Sequence, residues 1–123
     1  LKYNDEIVRL HAWQILPKLI KNNIIDLEDI KEMEKYYFEL LNKGSLEAWL
    51  IAGDLYKERI ITKPNMTKFL ELLKGDPLDR IAAWGLVSQF IEVGLLNVNE
   101  IKDYNKYIIE LLKYNEYYIR FNI

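Results

Sequence analysis

The side chains able to do chemistry are few and scattered. His11 is the only histidine among the 123 residues, and there is no cysteine. A catalytic imidazole needs a nucleophile or an orienting acid, and a metal centre needs further ligands, which here could only be carboxylates. Disulfides, thiolate catalysis and cysteine-ligated zinc or iron–sulfur sites are excluded within this chain. The acidic cluster Asp26, Glu28, Asp29, Glu32 and Glu34 lacks the alternating ligands and central glycine of a calcium loop. Favourable charge at a helix N-terminus explains its first half more simply. The sequence contains no phosphate-binding glycine loop, GxSxG elbow or HExxH pair. This reading assigns no catalytic residue, cofactor or metal, and predicts that the protein is not an enzyme.

Trp13, Trp49 and Trp84 are imaginable as stacking platforms, but two of them share one repeat position beside an alanine. A packed aromatic with a small neighbour that admits a second helix is the simpler account. The more informative feature is a recurring charged ridge. Lys31, Lys35 and Glu39 are spaced by four residues, Lys102, Lys106 and Glu110 repeat them, and Lys63 and Glu71 keep two of the three between. Tyr36 and Tyr107 flank the ridge. Four-residue spacing aligns such side chains on one helix face. One reading is a solvated, helix-favouring surface; the other is a ladder of lysines and tyrosines facing a partner. Tyrosine offers large contact area at low entropy cost, and lysine steers acidic partners.

These residues recur because the chain repeats itself. A shift of 71 aligns 5–44 with 76–115 without a gap, and twelve of forty positions are identical, among them Asp5/Asp76, Arg9/Arg80, Trp13/Trp84, Lys35/Lys106, Tyr36/Tyr107 and Glu39/Glu110. A shift of 32 places Glu39-Leu40-Leu41 on Glu71-Leu72-Leu73. Three units result, about 5–44, 45–75 and 76–115, each predicted to be a helical hairpin. Residues 116–123 read as a C-terminal cap or the truncated start of a further helix.

Punctuation supports the hairpins. In the first, helix A runs from about Glu6 to Lys21, Asn22-Asn23 end it, and Asp26 caps helix B. In the second, Ser45 caps a helix to about Arg59, and Thr62-Lys63-Pro64-Asn65 start a short helix B ending at Lys74. At the next corner Gly75 is expected to turn left-handed, Asp76 to cap, and Pro77 to occupy the first helical position. In the third, Gly94 closes helix A, and Asn97 with Glu100 has capping-box spacing. No strand-like alternation of any length precedes the last residues, so the expected class is all-α.

The segment Leu70 to Ile91, LELLKGDPLDRIAAWGLVSQFI, resembles the inter-repeat corner of HEAT repeats. There a leucine-rich B helix gives way to Asp-Pro, then to arginine, paired alanines and a leucine-bearing A helix. Pro17 is similar to the proline that kinks many HEAT A helices. The resemblance implies a single right-handed α-α superhelix, a solenoid with its B helices on the concave side. It also implies a non-catalytic module for binding another protein.

Composition agrees with that class. Half of the residues are hydrophobic and 29% are charged, enough for a packed core. A net charge of −2 is a poor footprint for nucleic acid, so a nucleic-acid-binding HEAT-like protein is the second reading. A structural segment of a longer array is the third. No apolar run has the roughly 18–20 residues needed to cross a bilayer. The expectation is therefore no membrane partner and a cytoplasmic location.

Overall fold

The computed structural model describes residues 5–113. The expected cap or truncated helix at 116–123 lies outside the described residues. Within them the chain is α-helical, with no strand. The helices are α1 (Glu6–Lys21), α2 (Leu27–Ile30), α3 (Glu34–Asn42), α4 (Leu46–Lys57), α5 (Thr67–Leu72), α6 (Pro77–Trp84), α7 (Val87–Val93), α8 (Val98–Ile101) and α9 (Asn105–Leu112). The chain forms two compact units with their boundary between Asn65 and Met66. That boundary divides the middle segment 45–75, leaving α4 in one unit and α5 in the other.

In the first unit α1 packs on α3 and α4, and α3 packs on α4. Asp5 starts α1 by accepting from the Ile7 N–H at 2.9 Å, and Ser45 starts α4 by accepting from the Ala48 N–H at 3.3 Å. Small residues at the buried face of α4, Ala48 and Ala52, admit the large side chains of its neighbours. Trp13 and Tyr37 fill that space with ring centroids 5.4 Å apart. The Tyr37 hydroxyl donates to the Ala48 carbonyl at 2.6 Å, and the Trp49 indole donates to the Leu41 carbonyl at 3.2 Å. Burial pushes the Tyr37 phenol far above its ordinary pKa, because the core disfavours the phenolate.

In the second unit α6 packs on α5 and α9. Phe69 and Phe90 meet with centroids 4.7 Å apart, and the Trp84 indole donates to the Leu73 carbonyl at 3.0 Å.

The 71-residue repeat is structural. Asn23 and Gly94 stand at the same register, and both are left-handed, with φ of 60° and 91°. In each case the N–H of the next residue returns to a carbonyl five earlier, Ile24 to Leu19 at 2.9 Å and Leu95 to Phe90 at 2.8 Å. The Asp26 N–H then donates to the Asp29 carboxylate at 3.4 Å, as the Asn97 N–H does to Glu100 at 3.0 Å.

Four local expectations are corrected. Helix B of the first and third hairpins is broken, not continuous: a 3₁₀ turn at Lys31–Met33 separates α2 from α3, and one at Lys102–Tyr104 separates α8 from α9. Both follow a buried isoleucine, Ile30 or Ile101, whose φ of −114° or −120° leaves the α range. The third helix A breaks between α6 and α7 at Gly85-Leu86, where the Leu86 N–H bonds three residues back to Ala83. Glycine's low helix propensity permits the break, whereas α1 runs unbroken through Pro17. Gly75 is not left-handed, and the Asp76 side chain makes no capping bond. Finally α5 starts at Thr67, not Thr62, because Glu34 takes the Thr62 N–H and hydroxyl at 2.8 and 2.9 Å and holds that strand of chain away from a helix.

Candidate functional site

The ridge residues divide between the two units. Lys31, Lys35, Tyr36, Glu39 and Lys63 belong to the first, and Glu71, Lys102, Lys106, Tyr107 and Glu110 to the second.

Each unit builds the same cluster from one helix A and one helix B. In the second, α9 carries Lys106, Tyr107 and Glu110, while α6 supplies Arg80. The Lys106 ammonium lies over the half-buried Tyr107 ring, 5.2 Å from its centroid. The Arg80 guanidinium lies 5.8 Å from the same centroid, so two cations lie within cation–π range of one ring. Arg80 Nη1 is 3.3 Å from the Glu110 carboxylate and donates to the Tyr107 carbonyl at 3.2 Å. Its Nε donates to the Gly75 carbonyl at 3.1 Å and its Nη2 to the Lys74 carbonyl at 3.3 Å. Arg80 thus ties down the corner itself: it satisfies the Lys74 and Gly75 carbonyls, which lie just beyond the end of α5.

In the first unit α3 carries Lys35, Tyr36 and Glu39, while α1 supplies Arg9. Lys35 lies 5.3 Å from the Tyr36 centroid, and Arg9 Nη1 is 3.8 Å from Glu39. Here the satisfaction is incomplete. Arg9 is buried with no partner for Nε, and the fully buried Trp13 has none for its indole N–H.

The expected ridge is therefore reorganised. Lys35, Lys106, Glu39 and Glu110 are exposed and Tyr36 and Tyr107 half-buried, and the two glutamates pair with arginines of their own units. Lys31 and Lys102 are exposed but stand on the 3₁₀ turns, off the α-helical register assumed for them. Lys63 is exposed in the non-helical segment before α5, and Glu71 pairs with Lys68 at 3.5 Å along α5. Sequence reasoning missed Arg9 and Arg80 as members of the cluster. Their identity across the repeat was the available signal.

His11 lines a 250 Å³ groove between α1 and α4 with Ile7, Leu10, Gln14, Glu47 and Leu50, and no second imidazole or thiol accompanies it. Among the described residues no group of three or more His, Asp or Glu could hold a metal ion. Glu6 is held below the usual carboxylate range by its hydrogen bond and charge pairing with Lys43, at 2.8 Å. No described helix is long and apolar enough to cross a membrane.

No family model and no solved structure matches the chain. It is 41% identical over 123 residues to a protein of Acidianus ambivalens described as "Uncharacterized protein in sor 5'region". The match takes in all of this chain and 54% of that relative, so the chain spans about half of the relative's length.

Proposed function

We propose that the protein is a non-catalytic, HEAT-like interaction module that binds another protein through its α3 and α9 faces, as a solenoid of helical hairpins in the cytoplasm. The observation that carries this is the repeated Lys–Tyr pair, Lys35 over Tyr36 and Lys106 over Tyr107. A cation–π contact of this exposed kind contributes about 0.5–1 kcal/mol, enough to hold a lysine head group near one place on the surface. The partner then meets a pre-positioned cation and a rigid ring, which lowers the entropy cost of association. Such a pair suits an acidic protein surface carrying an apolar contact.

Lys35→Glu with Lys106→Glu is the direct test, because both side chains are exposed. Wild type and variant are used for affinity capture from lysate with and without nuclease, and any partner is purified and rebound. A purified partner that binds wild type and loses the variant supports the face; equal binding of both removes it. Nucleic-acid binding is the competing reading. The net charge of −2 and the glutamates beside the lysines oppose it, and capture that disappears with nuclease would favour it.

A further inference from the structure

The groove that His11 lines runs the length of α4. A second depression, of 350 Å³, shares Gln14 and Ile51 with the first and carries the groove on to Lys18 and Glu58. Both of its walls, α1 and α4, belong to the first unit. They present matching positions to it: 7, 10, 11, 14, 17 and 18 from α1, and 47, 50, 51, 54, 57 and 58 from α4 and its C-cap, with buried Leu55 adding to the floor. The low-numbered residues of both helices line the first depression and the high-numbered ones the second, so the helices run side by side in one direction.

The middle of this face is apolar and its two sides are unlike in charge. Leu10 and Ile51 are half-buried, and Leu50 between them is 45% exposed. The α4 side carries Glu47, Asp54 and Glu58 against one base, Lys57, whereas the α1 side carries Lys18 and His11 and no acid. Lys18, Glu47 and Glu58 are exposed and make no ion pair with another described residue. An exposed apolar stripe between an acidic and a basic side is complementary to a copy of itself.

We propose that the α1–α4 face pairs with the same face of a second copy, about a two-fold axis running along the groove. That axis lays α1 of each copy on α4 of the other and sets the matched positions opposite. Leu10 then meets Leu50 of the second copy, Gln14 meets its Asp54, and Lys18 meets its Glu58. An axis across the groove would instead lay α4 on α4 and oppose their carboxylates, which costs free energy. Every contact occurs twice and the arrangement closes at two copies. It uses helices other than α3 and α9 and stands independently of the Lys–Tyr reading.

The 12 residues of α4 make the face about 18 Å long, and two helices make it about 20 Å wide, which is small for a dimer interface. Sedimentation velocity on the 123-residue chain from about 10 μM to about 1 mM covers the affinity expected of it. The expected mass rises with concentration and levels off at two copies. Leu50→Asp should associate at least about ten-fold more weakly while keeping the helical circular dichroism of wild type, because Leu50 is not part of the core. Lys18→Glu and Glu58→Lys should each associate about five-fold more weakly, since like charges then meet at both symmetric contacts. Mixed one to one, these two charge variants should regain wild-type association, because the reversed side chains face each other across the interface. An effect confined to one chain's own fold would not be repaired by a second chain. A wild type that stays monomeric overturns the proposal, as does growth beyond two copies or association unchanged by Leu50→Asp. A mixture of the charge variants no heavier than its components overturns the pairing of α1 with α4.

Discussion

The Arg80 guanidinium lies 3.3 Å from the Glu110 carboxylate, and 71 residues earlier Arg9 lies 3.8 Å from Glu39. The same arginine–glutamate pairing joins helix A to helix B in both units, but only Arg80 also reaches the corner carbonyls. Arg80→Met should therefore destabilise by about 2–3 kcal/mol, since three backbone acceptors lose a charged donor. Glu110→Gln should lose under about 1 kcal/mol, because the carboxylate is largely exposed. Urea unfolding of both variants checks the difference.

Tyr37 makes stability depend on alkaline pH. Its folded pKa is raised above the ordinary value of 10.0, so folding favours the protonated phenol. That contribution is fully present below pH 10 and declines as pH rises through and above it. Wild type should lose unfolding free energy progressively above about pH 10, and Tyr37→Phe should flatten part of this slope. At neutral pH Tyr37→Phe should itself cost about 1–2 kcal/mol, because the Ala48 carbonyl loses its buried donor.

The two corner glycines should respond differently to alanine. Gly94 is left-handed at φ 91°, and a Cβ there meets nothing within 4 Å. Its cost is therefore conformational, about 1–2 kcal/mol. Gly75 has an ordinary φ, and its Cβ would lie 3.4 Å from the Leu72 carbonyl oxygen, in ordinary contact. Gly75→Ala should stay within about 0.5 kcal/mol of wild type. Thermal denaturation of the two variants measures both.

Much of this was legible from the chain alone, and the failures have a common physical origin. The duplication of 5–44 in 76–115 predicted the paired corners at Asn23 and Gly94, because left-handed closure and capping are decided by neighbouring residues. The capping role of Ser45 and Asn97 was local in the same way. What was not legible depended on distant partners. Thr62 and Lys63 read as a helix start until Glu34, 28 residues away, takes the backbone of Thr62. The four-residue spacing of the ridge treated Lys31 and Lys35 as members of one α-helix, and a 3₁₀ turn intervenes. Glu39 and Glu110 are surface charges, as read, but nothing local reveals the arginine that each one faces.

The central claim is that the Lys–Tyr faces of α3 and α9 take up a protein partner. Hydrogen–deuterium exchange on the chain, alone and bound to its purified partner, tests it most directly. Slowed exchange over 34–42 and 105–112, without comparable change in α4 or α6, is the result this account predicts. Protection confined to α1 and α4, with α3 and α9 exchanging as in the free chain, would contradict it.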